Sequence, residues 1–266
     1  MIKINKGPSP VNLTNNFSKK RLKRLKDLYK DNTIFYQTNN FDITDAYKSD
    51  SVKETLEAVQ FNKCSYSEAK FLGGVYPQVE HFRPKKMVDD YPSGSSHFPG
   101  YYWLAYDWSN LFFSMPLINC SYKKNFFPLE APHQRNRNHL DSFVEFPTLI
   151  DPSIEDPRDH IYFYNEDVIY KTERGRVSIK ILGLRDPQFM EARLAHLKTL
   201  KILKKWVDNS WNDKELDTQI LVAETTSMLS DYLLPDATFS SMARDFLKGW
   251  PPLALVLDSD GNLLSS

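Results

Sequence analysis

Cysteine is scarce in this sequence, with Cys64 and Cys120 the only two among 266 residues. Two thiols are too few for a disulfide framework or a four-cysteine zinc site, and their scarcity favours a cytoplasmic chain. The sequence contains no run of 18 apolar residues, and its N-terminus lacks the pattern of an export signal. We therefore expect neither a membrane span nor secretion.

An excess of one charge sign is also absent. Thirty-four Lys and Arg balance 34 Asp and Glu, so the field of the whole protein does not attract a polyanion. Binding of nucleic acid would have to depend on local patches. One such patch is the first thirty residues, which hold nine Lys or Arg. Within it, residues 18–30 have helical spacing, and this basic helix could either bind phosphate or simply face solvent.

Hydrophobic residues make up 41% of the chain, and aromatic residues 14%, which is enough for a sizeable core. Periodicity predicts helices over residues 18–30, 49–59, 186–208, 213–234 and 236–249. Ser51 and Glu54 have the spacing of a capping box, and Asp186-Pro187 is typical of a helix start. Short strands are predicted within residues 149–164 and 175–184.

Residues 61–130 are different, because Pro, Gly, Ser and aromatic residues crowd together there without helical periodicity. Such loop-rich segments often carry functional sites. We predict an α+β fold in three parts: an N-terminal helical segment over residues 1–60, a core over 61–150, and a mostly helical region over 151–266.

The residues with the clearest chemistry lie in this middle part. The stretch "QVEHFRPKK" (residues 78–86) places Glu80 directly before His81, at the end of a predicted short strand. Downstream, Asn110 opens an apolar run and Asn119 follows nine residues later. A histidine with the ordinary pKa of about 6.5 can accept a proton from water near neutral pH. Glu80 and Asn119 offer the oxygen atoms that hard divalent cations prefer.

This order of residues resembles the motif of the HNH nucleases, which have the ββα-metal fold. More narrowly, "VEHFRPK", "YYWLAYDWSNLFFS" and "NCSYKKNFFPL" resemble the HNH endonuclease subunit of Septu-type and some retron-type anti-phage systems. With further matches downstream, the similarity covers residues 64–249. The resemblance implies a ββα-metal (HNH) nuclease core embedded in a mostly helical domain.

The resemblance also implies roles for the matching residues. His81 would take the proton of the attacking water, and Asn110 would tether the loop and orient His81. Glu80 and Asn119 would hold one Mg²⁺ or Mn²⁺ ion against the scissile phosphate. Four nearby basic side chains could contact flanking phosphates by charge-assisted hydrogen bonds, namely Arg83, Lys85, Lys123 and Lys124.

Each of these residues also has a purely structural interpretation. His81 could be a half-buried strand histidine, and Asn110 and Asn119 could be turn or cap residues, which asparagine favours. The basic side chains could simply face solvent. The combined spacing of the histidine and the two asparagines favours catalysis.

The sequence departs from related nucleases at four positions, which we call the knuckle positions: Cys64, Ser67, Met115 and Ile118. Related nucleases usually carry two C-x-x-C pairs there that bind a structural zinc ion. A single thiolate cannot supply a tetrahedral zinc site, and Cys120 is out of register, so we predict no structural zinc. Met115 and Ile118 are apolar and could replace the metal by packing, although loss of the zinc could also reflect a nuclease that is no longer used.

We therefore predict a metal-dependent endonuclease that cuts DNA in anti-phage defence. The resemblance implies an ATPase partner of the ABC/SMC type, whose interface we expect on the apolar helices after residue 186. Two alternatives stay open. One is a ribonuclease that cuts RNA such as tRNA with the same residues, because nothing in the motif reads the 2′-hydroxyl. The other is a non-catalytic adaptor of the ATPase with an HNH-like shape.

Overall fold

The computed structural model describes residues 1–31, 33–37, 41–253, 261 and 263. Within these residues the α-helices are α1 (Val11–Thr14), α2 (Asn16–Asp31), α3 (Thr33–Gln37), α4 (Asp50–Val59), α5 (Glu173–Ile181), α6 (Pro187–Ser210), α7 (Leu216–Asp231) and α8 (Ser240–Leu247). The strands are β1 (Gln78–His81), β2 (Val88–Asp89), β3 (Ser96–His97), β4 (Leu111–Ser114), β5 (Ile161–Tyr164) and β6 (Asp167–Tyr170). This mixture confirms the predicted α+β class.

The strands form three separate antiparallel pairs, β1 with β4, β2 with β3, and β5 with β6. The first pair joins the two halves of the sequence motif. Glu80 lies opposite Phe112 and His81 lies opposite Leu111, so the carboxylate-histidine pair comes directly beside the segment that follows Asn110. All four residues of β4 are buried, which anchors this pair in the core.

The helices predicted near the N-terminus are present, but the predicted capping box is wrong. α4 begins at Asp50, with Ser49 as its N-cap in an extended conformation. Ser51 therefore lies inside the first turn, and its buried hydroxyl makes no hydrogen bond with the described residues. A capping serine has to lie outside the helix, so the earlier start of α4 removes Ser51 from that role.

The predicted strand within residues 149–164 is confirmed as β5, whereas residues 175–184, also predicted as a strand, are largely helical in α5. The Thr172 side chain caps α5 by accepting a hydrogen bond from the Gly175 N–H at 3.1 Å. α5 packs between two hydrophobic clusters, with Val177 and Ile181 in one and Ile179 in the other. A helix that is apolar on two sides shows the alternation that is usually typical of a strand.

The three predicted C-terminal helices are confirmed as α6, α7 and α8. The Asp186 side chain accepts a hydrogen bond from the Gln188 N–H at 2.9 Å, and Pro187 is the first helical residue, as the sequence predicts. These helices share a hydrophobic cluster of their own, which includes Leu200, Leu229 and Met242. In the part of the chain that is described, no helix is both long and apolar enough to cross a membrane.

Candidate active site

The sequence motif is organised around His81, the last residue of β1. Its Nε2 atom lies 3.0 Å from the carbonyl oxygen of Ala105. A carbonyl oxygen can only accept a hydrogen bond, so Nε2 carries the proton and the lone pair of the neutral ring is on Nδ1. The Lys85 ammonium lies 3.4 Å from Nδ1. In this tautomer Nδ1 is the ring atom that could accept a proton, and its lone pair faces the Lys85 ammonium.

The surroundings of the imidazole keep it uncharged. His81 is buried, and the ring of Tyr47 packs edge-on against it with a centroid distance of 4.6 Å. Burial lowers the pKa of His81 well below its usual value, and the positive charge of Lys85 lowers the pKa further. A neutral imidazole at pH 7 is the form that a general base requires.

Asn110 holds the loop that follows β1. Its Oδ1 accepts a hydrogen bond from the Arg83 N–H at 2.7 Å, and its Nδ2 donates to the Arg83 carbonyl at 3.0 Å. The same amide nitrogen donates to the Leu104 carbonyl at 3.2 Å. Leu104 precedes Ala105, whose carbonyl contacts His81. Asn110 therefore connects the two backbone segments between which the imidazole lies.

Glu80 is buried and lies in ion-pair contact with the ammonium group of Lys123. Lys123 is fully buried and also donates a hydrogen bond to the His81 carbonyl at 3.0 Å. Burial raises the pKa of the Glu80 carboxyl, while the charge of Lys123 opposes that rise. The Oε1 atom of Glu80 is therefore held by a buried cation.

Asn119 lies in a short π-type helix over Leu117–Lys123, beside the start of β1. Its Nδ2 donates a hydrogen bond to the Gln78 Oε1 at 2.8 Å. This contact fixes the orientation of the amide and leaves Oδ1 free of hydrogen bonds to the described residues. Gln78 was not identified from the sequence. Because alternate residues of a strand share a face, its position two residues before Glu80 could have indicated it.

These side chains meet at a cleft of about 260 Å³. Five residues that the sequence selected line it, and we define the cleft by them: Glu80, His81, Lys85, Asn119 and Lys124. Lys124 is exposed there, on the solvent side. Asn125, whose role the sequence left open, also lines the cleft.

Three residues of the predicted set lie elsewhere. Asn110 is buried behind the cleft, where it makes the backbone contacts above. Arg83 was expected to contact phosphate, but its guanidinium pairs with Glu145, with Nε 3.3 Å from Oε2. Lys123 was also expected to contact phosphate, but its ammonium is shielded from solvent against Glu80. Neither interaction follows from the local sequence, since Glu145 is 62 residues away from Arg83.

The oxygen atoms of the cleft fit a single hard divalent cation. Glu80 contributes a carboxylate whose Oε1 is paired with the Lys123 ammonium, and Asn119 contributes an amide oxygen that accepts no hydrogen bond from the described residues. Among the described residues there is no cluster of three or more His, Cys, Asp or Glu side chains that could enclose a metal ion. Two protein oxygens match the way Mg²⁺ is usually bound, with water and substrate phosphate completing its shell.

The knuckle positions lie next to the same strands. The Met115 N–H donates to the Cys64 sulfur at 3.4 Å, and the Ser65 N–H donates to the Phe113 carbonyl at 3.0 Å. Ile118 is fully buried in the same hydrophobic cluster as Cys64. Met115 packs against that cluster. Apolar packing occupies this part of the molecule, as the sequence suggested for Met115 and Ile118.

Comparison with known proteins adds two relatives, while no family model matches the chain. The chain is 33% identical to the Septu protein PtuB of Bacillus mycoides (strain KBAB4) over 239 residues, which cover 83% of this chain and 80% of that protein. It is 26% identical to the Septu protein PtuB of Bacillus thuringiensis over 164 residues, which cover 60% of this chain and 52% of that protein.

Proposed function

The chain belongs to the family of the Septu protein PtuB, and from this we propose that it is the HNH-type endonuclease subunit of an anti-phage defence system. Its substrate would be DNA, and its reaction the metal-dependent hydrolysis of phosphodiester bonds. The observation that supports this proposal most directly is the protonation pattern of His81, whose Nε2–H is bound by the Ala105 carbonyl.

His81 would act as the general base. Its Nδ1 lone pair would take a proton from a water molecule, whose oxygen then attacks the phosphorus atom and displaces the 3′-oxygen. The Ala105 carbonyl would stabilise the imidazolium that forms, because it already accepts the Nε2–H. The Lys85 ammonium lies on the same side as Nδ1, where it could hold the phosphate close to the water.

Glu80 and Asn119 would hold the Mg²⁺ or Mn²⁺ ion. When bound, such an ion supplies charge neutralisation at the phosphate and at the leaving oxygen. Lys123 would keep the Glu80 carboxylate in place, because its ammonium group contacts both that carboxylate and the His81 carbonyl. Asn110 would keep the loop after β1 at a fixed distance from Ala105, and with it the orientation of the imidazole.

An ATPase of the ABC/SMC type would be the partner within the defence system. The exposed apolar side chains of α6 and α7 support a docking surface there, because Ile202, Leu216 and Leu221 are each at least half exposed. A core helix would bury such residues. We expect the two proteins to elute together in size-exclusion chromatography, and Ile202→Asp with Leu221→Asp to separate them.

The experiment that tests the nuclease is cleavage by the purified full-length chain with Mg²⁺ or Mn²⁺, with and without the ATPase. Plasmid DNA, single-stranded DNA and total tRNA should be compared as substrates. We expect plasmid cleavage by the wild type and a loss of about 10² to 10⁴-fold in His81→Ala. His133→Ala is the matched control, since His133 is exposed and lies outside the cleft.

The three substrates separate the alternatives. Cleavage of tRNA but not of DNA, sensitive to His81→Ala, would establish the ribonuclease instead. If no nucleic acid is cut under any of these conditions, or if His81→Ala cuts as well as the wild type, the chain is an adaptor and the proposed catalytic role of His81 is wrong.

A further inference from the structure

A second groove lies beside the cleft, and its chemistry is that of an anion-binding surface. Its volume is about 280 Å³. α2 lines one side with Arg21, Arg24, Leu25 and Leu28, a spacing of three, four and seven residues that defines a single helix stripe. We call this surface the basic groove.

The opposite side of the basic groove belongs to the segments that also support the cleft. Phe41, Thr44 and Tyr106 line it, and the Thr44 and Tyr106 hydroxyls lie 2.8 Å apart. Tyr106 follows Ala105, the residue whose carbonyl holds the His81 ring. The Lys86 ammonium lies over the Phe41 ring, 5.7 Å from its centroid, and Lys86 lines the cleft. Phe41 and Lys86 thus connect the two concave surfaces.

Most of the Lys and Arg side chains of α2 form no ion pair with the described residues. The helix carries seven Lys and Arg against Asp27 and Asp31. Of the seven, Lys23 forms an ion pair with a described residue, Asp27, at 3.0 Å, while the other six form none within the described part of the chain. Arg21 packs over the Phe17 ring at 4.9 Å. Asp42 also lines the groove and offsets part of this charge.

A dense cluster of unpaired cations on a chain of zero net charge is maintained against self-repulsion, and an external polyanion removes that repulsion. Arg21 and Arg24 share a helix stripe with Leu25 and Leu28, so these two cations line the basic groove. Arginine side chains are typical donors to the phosphate oxygens of nucleic acids.

We propose that the basic groove binds the phosphodiester backbone of the nucleic acid that enters the cleft, with Arg21 and Arg24 contacting phosphates that flank the scissile one. Lys86 lies between the two surfaces and would contact the intervening backbone. This inference rests on the proposed function, because it assigns the substrate of that site a path across α2. It adds a binding surface that contains none of the motif residues.

The test is DNA binding by the full-length chain in EDTA, where no cutting occurs. Fluorescence anisotropy of a labelled duplex of about 30 base pairs, measured over a range of salt concentrations, gives both the affinity and its salt dependence. For Arg21→Gln with Arg24→Gln, we expect about tenfold weaker binding at 0.1 M salt. We also expect the slope of log K against log salt to fall by about 1.8, since each lost phosphate contact contributes about 0.9.

Two further variants make the result specific. Lys201→Gln with Lys205→Gln removes the same charge from exposed positions on α6, and we expect wild-type affinity and slope. Arg21→Lys with Arg24→Lys keeps the charge and should retain most of the binding. Circular dichroism of each variant checks that α2 stays folded.

The outcomes separate this inference from the nuclease itself. If the wild type binds no duplex, or if both double glutamine variants lose the same affinity, the basic groove is not the binding surface. In either case His81-dependent cleavage could still be observed, because it is measured separately with metal present. The same measurement should be repeated with a labelled RNA duplex of the same sequence. Tighter binding of RNA than of DNA would support the phosphate contacts of the basic groove but would indicate that the substrate is RNA.

Discussion

The cleft and the knuckle positions both lie next to the strand pair β1 and β4, yet they are stabilised in different ways. At the knuckle positions Ile118 is fully buried and Cys64 is 2% exposed. The Met115 N–H donates to the Cys64 sulfur and the Ser65 N–H to the Phe113 carbonyl, which links the two segments. At the cleft the Asn119 Oδ1 accepts no hydrogen bond from the described residues, while the Glu80 carboxylate is paired with the buried Lys123 ammonium. Close packing is typical of a structural site, while unpaired donors and acceptors around a cavity are typical of a functional one.

Packing at the knuckle positions can be compared with the stabilisation that a structural zinc ion would give. Burial of an isoleucine side chain contributes about 1.5 to 3 kcal/mol, far less than the roughly 10 kcal/mol of a structural zinc. Glu68, one residue after the knuckle position Ser67, adds ionic contacts to this packing. Its carboxylate pairs with the Met1 α-ammonium at 2.7 Å and accepts hydrogen bonds from Ser240 and Ser241 at the start of α8. Ionic contacts to distant segments thus supplement the apolar packing.

Removing the charge of Glu68 should be the most damaging change on the knuckle side. Glu68→Gln leaves Lys63 and the Met1 ammonium buried without a counter-charge, and breaking a buried pair costs about 3 to 5 kcal/mol. Urea denaturation measures the free energy of unfolding. Glu57→Gln, at an exposed position of α4, is the control. An equal loss in both variants would contradict the anchoring role.

The same carboxylate predicts how stability depends on pH. Burial alone would raise the pKa of Glu68, but the Met1 ammonium and Lys63 outweigh burial and hold the pKa well below its usual value. The unfolded chain therefore takes up a proton near pH 4.5 that the folded chain does not. We expect stability to be fully present above about pH 4.5 and to fall as the pH drops below it. Glu68→Gln should flatten this dependence.

Truncating Ile118 tests the packing itself. Ile118→Ala should cost about 2 to 4 kcal/mol, because it opens a cavity in the main hydrophobic cluster. Ile202→Ala on α6 is the matched control, since Ile202 is 69% exposed. Cleavage per folded molecule should change little in either variant. If Ile118→Ala instead abolished cleavage without loss of stability, the separation between the two sites would be wrong.

On the cleft side, we expect Asn110→Ala to reduce cleavage more strongly than Ile118→Ala does. It removes the hydrogen bonds to the Arg83 and Leu104 backbone and should cost about 1 to 3 kcal/mol of stability. Its cleavage rate should fall further than that of Ile118→Ala, because the loop next to His81 is released. Asn110→Asp keeps the acceptor for the Arg83 N–H and should recover part of the rate. Asn209→Ala, exposed on α6, is the control.

Metal chelators should leave the stability of the protein unchanged but abolish its nuclease activity. With one thiolate among the four knuckle positions, we expect no bound zinc, so 1,10-phenanthroline should leave the thermal unfolding midpoint unchanged. EDTA should stop cleavage, and added Mg²⁺ or Mn²⁺ should restore it. A lower unfolding midpoint in the chelator, together with zinc found by mass spectrometry, would show that the knuckle positions do bind metal.

Part of the fold was accessible from local sequence signals. The start of α6 at Asp186-Pro187 depends on a side chain and its nearest backbone neighbours, so the prediction was confirmed. α5 was predicted as a strand because its alternating apolar residues face two hydrophobic clusters rather than one. Which clusters surround a segment depends on residues far away in the chain, and periodicity does not contain that information.

Some residues of the candidate site could likewise be identified from the sequence, while others could not. The sequence selected Glu80, His81 and Asn119, and the structure brings them to one cleft. The sequence alone could not distinguish Lys123 from Lys124, because the two residues are adjacent and identical in type. The fold buries the first against Glu80 and leaves the second exposed. Ala105 offers only a backbone carbonyl, which no side-chain motif can indicate.

By itself, the sequence determined the α+β class, the helices with local caps and the residue types needed for the chemistry. These follow from side-chain identity and short-range spacing. The tertiary structure alone decided which His81 nitrogen keeps its lone pair, which lysine pairs with Glu80 and which cations of α2 lie beside the cleft. Those properties depend on burial and on contacts between residues far apart in the chain, and both arise only when the chain packs.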